Sequence, residues 1–498
     1  MCVHENAREI CTFTDMCYVG VFEEKEMAAE PRKEIKAMIK KLSVFLILAM
    51  LAGTLTACGD SDSPDSGSTT QANVEANSTN DGVSKDATGD STAEEESYEP
   101  ITIEFWNSWT GSDGDILVAK VNEFNETNPW NITINMDISS QFSEKLATTL
   151  PTGDCAPLVL MGNADRFRYA DYLLELDDIW ENTSLSESDF TPNAMEVCKT
   201  DGVLYAIPFQ NSLYYLFWNK DLFEKAGLDP DTPPQSFEEW ANYASKITDP
   251  DTNTYGSGLF MSYGNQQMCL MGIKGGWAVT KADGGKWSVN IADNDGYKEY
   301  LTWMKAIYNN EDNPVENEID SMFIAGQIGI MVNGPWLIAG AEGSGINFGI
   351  SKIFGNEPVG DVSGFFVTSG ASDEQKLACE RFIQWWYTGN EGTAMEDTGA
   401  GVWSLQLGFP TVYLPLAESE SYINNERVSA LTPDSDSKDS LWITTDPDFL
   451  GWAETIGVMG NLTQAVVFDT PIEEALATAQ ADAEALVRTY EGEDALTE

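Results

Sequence analysis

The chain has 498 residues, with 81 Asp and Glu against 27 Lys and Arg, a formal charge of −54. A field of that sign repels phosphate backbones and anionic headgroups, which are held by clustered Lys and Arg, so nucleic acid is excluded as a partner. The one histidine is His4; beyond it, a Ser-His-Asp or Cys-His nucleophile, a His-ligated zinc and an imidazole switch all lack their central group.

Residues 1–37 carry several acids ahead of any apolar stretch, which suits no export signal, and read as a leader upstream of a true start at Met27 or Met38. From Met38 the chain has a basic n-region at Lys40 and Lys41 and an apolar run from Leu42 to Leu55. That run is shorter than the ~20 residues a membrane-spanning helix needs, so 38–57 reads as a cleaved signal peptide. It ends in Leu55-Thr56-Ala57-Cys58, which resembles the bacterial lipobox. In that motif the cysteine is acylated and becomes the mature N-terminus, and more than one acyl chain makes a stable anchor. Residues 58–100 follow Cys58 with almost no aliphatic or aromatic side chains and one basic residue, Lys85. Such a segment cannot bury enough surface to fold and is expected to be an acidic, disordered tether.

The rest of the chain, 101 to 498, alternates strand and helix patterns. Ile101 to Trp106 is β-rich, Gly114 to Asn125 carries a helical apolar stripe (Ile116, Leu117, Val121, Phe124), and Ile132 to Met136 is again a strand, giving a βαβ opening. Strands are predicted at Pro157 to Met161, Val203 to Pro208 and Gln327 to Val332. Helices are predicted at Ser236 to Ile247, capped by Ser236 with Glu238 and Glu239 in its first turn, at Asp295 to Asn309, at Gln375 to Tyr387, and from Thr470-Pro471 to about Arg488. The class is α/β.

Cys155, Cys198, Cys269 and Cys379 are widely spaced without a CxxC, which argues against a metal knuckle or a disulfide framework and for free thiols. Asp249, Asp251 and Asn253 open like an EF-hand loop, but Thr254 and Phe260 stand where Gly and a bidentate Glu are required, so a solvated turn is expected. Asp293-Asn294-Asp295-Gly296 reads as a cap for the next helix. The tryptophans are more telling. Several of the 15 sit beside Gly, Pro or Asn: Trp106 and Trp109, Trp277, Trp336 and Trp403. An indole on a turn at a strand end can offer its flat face to the C–H face of a sugar ring.

The order of ITIEFWNSWTG, VNEFNETNP, EKLATTLPTGDCAPLVLMG, DGVLYAIPFQNSLYYLFWNKDLFEKAGLDPDTPPQSFEEW, KGGW, FIAGQIGIMVNGPW and ERFIQWWYTGN, covering about 101 to 490, resembles the extracellular solute-binding proteins of carbohydrate-uptake ABC transporters, the group that includes the maltose-binding protein. The resemblance implies two α/β lobes, a multi-segment hinge and a ligand cleft between the lobes. By analogy one lobe takes 101–209 plus 366–408 and the other 213–362 plus 412–498. Crossings fall near Gln210 to Ser212, Ser363 to Phe365 and Gly408 to Thr411, read as loop-type stretches that absorb φ/ψ change.

Asp165 and Arg166 match an Asp-Arg-Phe whose Asp and Arg bind sugar hydroxyls in the family, although Gly162 stands where the relative has a tryptophan. Gln210 and Asn211 replace an acidic residue, which tells against maltodextrin specificity. Trp336 matches a sugar-stacking tryptophan, Ser108 and Trp109 occupy the first cleft loop, and Tyr263, Trp277, Phe365 and Trp403 complete the expected contact set. The implied function is that of a monomeric, membrane-anchored binding component without cofactor or metal. It would capture a neutral sugar or oligosaccharide on the outer face of a Gram-positive cytoplasmic membrane and deliver it to permease subunits, without catalysis. Two alternatives stand beside it: the same fold binding a polyol or glycerol phosphodiester, and a secreted glycoside hydrolase, since 81 acids bring some pair to glycosidase spacing by chance.

Overall fold

The computed structural model describes residues 98–497 apart from 167, 201, 262, 283, 315–317, 357–358 and 434–447. The expected leader, signal peptide, acylated Cys58 and tether up to residue 97 lie outside the described residues. Among the described residues, no helix is long and apolar enough to cross a membrane.

A βαβ unit opens the fold: β1 (Ile101–Asn107), α1 (Ser112–Thr127) and β2 (Ile132–Ile138), with β1 and β2 parallel and in register from Ile101 opposite Ile132 to Asn107 opposite Ile138. The remaining strands of the main sheet are β3 (Leu158–Gly162), β4 (Ile207–Asn219), β5 (Tyr255–Gly258), β6 (Ile328–Asn333), β7 (Phe348–Ser351) and β8 (Val359–Val367). Their spatial order is β2-β1-β3-β8-β4-β6-β5, with β7 also paired to β4.

Two long strands, β4 and β8, therefore join the two halves of the sheet. β4 pairs antiparallel with β8 through its first half and with β6 and β7 through its second. Side chains alternate across a strand, and β4 is buried on both faces beyond the crossing. Leu213, Tyr215 and Phe217 enter one hydrophobic core, while Tyr214, Leu216 and Trp218 enter the other. The first core gathers β1, β3, β8 and α1 with α6 (Asp373–Thr388) and α7 (Gly399–Leu407). The second gathers α2 (Phe237–Ile247), α3 (Gly264–Gly275), α4 (Asp295–Asn309), α8 (Trp452–Val467) and α9 (Ile472–Glu491). The remaining helix that matters below is α5 (Trp336–Ser344).

Helix starts follow local hydrogen bonding. The Ser236 hydroxyl accepts from the Glu239 N–H, the Asn294 side chain from the Tyr297 N–H, and Ser372 and Gln375 form a reciprocal capping box on α6, each satisfying amides that a helix leaves open. Asp249 to Asn253 is a short 3-10 turn closed by the Asp249 carboxylate on the Asp251 N–H. Cys198, Cys269 and Cys379 are free and buried, and Cys155 is free and half-buried.

Two expectations need correction. Val203 to Pro208 is not one strand: Val203–Leu204 pairs with Lys199–Thr200, the chain breaks at Tyr205 and Ala206, and β4 begins at Ile207. The crossings at Gln210 to Ser212 and Ser363 to Phe365 are not loops either. Both lie within β4 and β8, paired to each other, with one register shift between Ser363 and Gly364. Backbone pairing on both sides carries the strand through polar residues that read as a break in an apolar pattern, and the irregularity supplies the local bend. Gly408 to Thr411 is irregular, as expected.

Candidate functional site

A cavity of about 300 Å³ is lined by Ser108, Trp109, Thr110, Gly111, Asp113 and Trp336. Five of these come from the connection between β1 and the first turn of α1, and the sixth follows β6. They meet outside the carboxyl ends of two strands, where open α/β sheets place ligands.

Each wall is held from beneath. Asn107 is fully buried at the end of β1, and its Oδ1 accepts from the Trp109 N–H at 3.0 Å. A Cβ on Gly114 would stand 2.1 Å from the Trp109 carbonyl oxygen, so only glycine lets α1 approach this loop. The Trp109 ring meets Phe209 edge-on, with centroids 6.2 Å apart. Asp113 is almost fully buried and its Oδ1 accepts from the Gly114 N–H at 2.8 Å. Burial pushes its carboxyl above the usual range, against the opposing pull of the Gly114 amide.

Trp336, half-buried, packs against both cores. Tyr214 of β4 meets its ring perpendicularly at 5.6 Å, and Phe409 lies on another side at 6.5 Å. Beneath it, a Cβ on Gly334 would come within 2.0 Å of the ring carbons, so the indole occupies the space a side chain would take. The Tyr214 hydroxyl is 2.8 Å from that of Tyr263, which is 38% exposed just before α3.

The structure thus brings Ser108, Trp109 and Trp336 to one cavity, with Tyr263 hydrogen-bonded to the Tyr214 that packs on Trp336. The other predicted contacts are placed elsewhere. Phe365 is fully buried in β8 against Phe105, Phe209 and Phe382, which corrects its assignment to a core residue. Trp403 is corrected likewise: it lies in α7, stacks on Phe409 at 5.5 Å, and donates from Nε1 to Gln210 Oε1 at 2.7 Å. Gln210 and Asn211 are buried in the hinge strand. The Gln210 Nε2 donates to Ser212 Oγ at 3.0 Å, and Ser212 Oγ is 3.3 Å from Ser363 Oγ, so these polar groups join the two crossing strands instead of lining the cavity.

Arg166 is 2% exposed, with Nη1 donating to the Asn163 carbonyl at 3.0 Å. Burial lowers its pKa to about 10, opposed by the neighbouring carboxylates of Asp448 and Asp361. Asp165 is half-buried 3.7 Å from Arg168 Nη1, and Arg168 also pairs with Glu454 of α8. Neither member of the matched Asp-Arg pair lines the cavity, and Phe167 lies outside the described residues. Trp277 is half-buried after α3 against the first core. Thr110, Gly111 and Asp113 were not foreseen; the signal for them is the TGSDG turn directly after the tryptophan-bearing strand end.

A family profile described as "Bacterial extracellular solute-binding protein" matches residues 119–413. The chain belongs to this family. Among curated relatives, this solute-binding protein is 22% identical over 312 residues to the maltotriose-binding protein of Pyrococcus abyssi, covering 58% of this chain and 63% of that one. It is 30% identical over 157 residues to the sn-glycerol-3-phosphate-binding periplasmic protein UgpB of Escherichia coli K12, covering 29% and 35%. The alignments thus span less than two thirds of these relatives' length. Among solved structures, the GacH receptor of Streptomyces glaucescens superposes with a TM-score of 0.65 at 18% identity, over 79% of this chain and all of that one. The substrate-binding protein Lmo0181 of Listeria monocytogenes, solved with cycloalternan, gives 0.64 at 18%, over 78% and 99%. Both likenesses establish the two-lobed binding-protein fold.

Proposed function

We propose that this solute-binding protein captures an uncharged sugar between its lobes and passes it to the permease of an ABC importer, without chemical change. The observation that carries the reading is the cavity in which Trp109, from the first β–α connection, and Trp336, after β6, share a lining with the hydroxyls of Ser108 and Thr110 and the carboxylate of Asp113. Indole faces match sugar C–H faces, and hydroxyl and carboxylate groups match its rim of O–H donors. At about 300 Å³ the cavity lies at the small end of ligand sites, which suits one or two sugar rings. The names of the maltotriose-, cycloalternan- and acarbose-binding relatives point the same way. Lobe boundaries at 101–209 plus 366–408 and 213–362 plus 412–498, acylation of Cys58 and residence as a monomer on the outer membrane face belong to the same proposal.

A melting-temperature screen of the mature protein against maltotriose, mannotriose, galactobiose and their monosaccharides tests it. A bound sugar at 100 times its Kd should stabilise the fold by about 2.7 kcal/mol and be recovered intact by mass spectrometry. No stabilisation by any sugar, or hydrolysis beyond stoichiometry, would overturn the reading. For the anchor, Cys58→Ala protein should leave the detergent phase; equal partitioning with wild type would refute lipidation.

The partial match to the glycerol-phosphate-binding relative favours a second reading, a glycerol phosphate in the same cleft.

A further inference from the structure

We infer that Asp113 sets the charge class of the ligand: the cavity accepts hydroxyl-rich solutes that carry no negative charge and rejects phosphorylated or carboxylated ones. This rests on the sugar-capture reading and deepens it by choosing between the two ligand chemistries that the relatives represent. The lining contains one carboxylate, Asp113, and among the described residues no lysine or arginine. Its largest surfaces are two indoles, whose faces carry the negative side of the ring quadrupole and attract C–H groups, not anions.

The amino end of α1 borders the cavity and would otherwise attract an anion through its open N–H groups and dipole. Two acids, Asp113 and Asp115, stand in that first turn and oppose it. The cations that resemblance or sequence would send to the site are engaged elsewhere. Arg166 is buried with Nη1 on the Asn163 carbonyl, in the field of Asp361 and Asp448. Arg168 is paired with Glu454 and Asp165. Lys120, on α1 itself, pairs with Glu123 at 2.8 Å and donates to the Asp397 carbonyl at 2.6 Å. A phosphate drawn into the cavity would thus face a carboxylate and two indoles, whereas a neutral sugar would give its hydroxyl hydrogens to that carboxylate.

The test is calorimetric titration of wild type and Asp113→Asn with maltotriose, mannotriose, galactobiose, glucose 6-phosphate and sn-glycerol 3-phosphate. Wild type should bind at least one neutral sugar and discriminate against both phosphates by a hundredfold or more. In Asp113→Asn the neutral sugar should bind tenfold or more weakly, and the discrimination should shrink at least tenfold. If wild type binds a neutral sugar but takes either phosphate as tightly, or if the substitution leaves the ratio unchanged, the charge rule fails and sugar capture stands. If wild type binds no neutral sugar, sugar capture itself fails, and the charge rule with it. Where Asp113→Asn is poorly folded, Asp113→Ser, which likewise removes the charge, repeats the comparison, and an unchanged ratio in either folded variant overturns the role of Asp113.

Discussion

Trp336 and Trp403 both sit near glycines, yet they are different kinds of residue. Trp403 is 2% exposed, hydrogen-bonded to Gln210 and stacked on Phe409, so Trp403→Ala should cost ~3 to 5 kcal/mol of stability through the cavity it leaves, read as a large fall in the unliganded melting temperature. Trp336 is half-buried and lines the cavity. Trp336→Ala should instead weaken sugar binding by roughly 1 to 3 kcal/mol while shifting the unliganded melting temperature far less. A reversal of the two phenotypes would exchange their roles. That distinction was invisible in one dimension: Gly401-Val402-Trp403 lies inside a helix that packs on the hinge, whereas Gly334-Pro335-Trp336 leaves the end of a strand. Phe365 is misassigned to the contact set for a related reason, since an aromatic beside a hinge segment can face a cleft or a core, and only the pairing of β8 with β3 and β4 buries it.

At the scale of elements, the seat of Trp336 is built from backbone. The ring lies where a Gly334 side chain would be, within 2.0 Å, and Tyr214 stands at its edge. Gly334→Ala should therefore displace the indole and lower sugar affinity tenfold or more. Combined with Trp336→Ala it should add almost nothing, because both changes remove the same contact; additive losses in a double-mutant cycle would show that Gly334 acts elsewhere. Helices with strong ends were legible, as with Ser236 on α2 and Asn294 on α4, because a capping side chain acts within three residues of itself. The thirteen-residue β4 was not. Its polar middle, Gln210 to Ser212, is paid for by partners distant in sequence, Ser363 and Trp403, and no local pattern announces them.

Across the whole molecule, β4 and β8 join the two halves of the sheet, and under the proposed lobe boundaries a change of angle between lobes is expected to fall on these paired strands and on Gly408 to Thr411. Under those boundaries, a contact between lobes away from the cavity is expected to bias closure. Arg168 bridges Asp165 and Glu454 of α8, with side chains 41%, 32% and 25% exposed. A partly exposed pair of this kind contributes up to ~1 kcal/mol and weakens with salt. Arg168→Ala should thus raise the sugar dissociation rate by two- to fivefold in stopped-flow fluorescence, with the difference from wild type fading in high salt; an unchanged rate would show that the bridge does not bias closure.

A crystal structure grown with the neutral sugar that most raises the melting temperature shows whether the space between Trp109 and Trp336 holds the sugar. A sugar ring is expected within van der Waals distance, about 4 Å, of the Trp336 and Trp109 indoles, with a hydroxyl on the Asp113 carboxylate. Sugar bound elsewhere on the protein, with the space between Trp109 and Trp336 filled only by solvent, would contradict it.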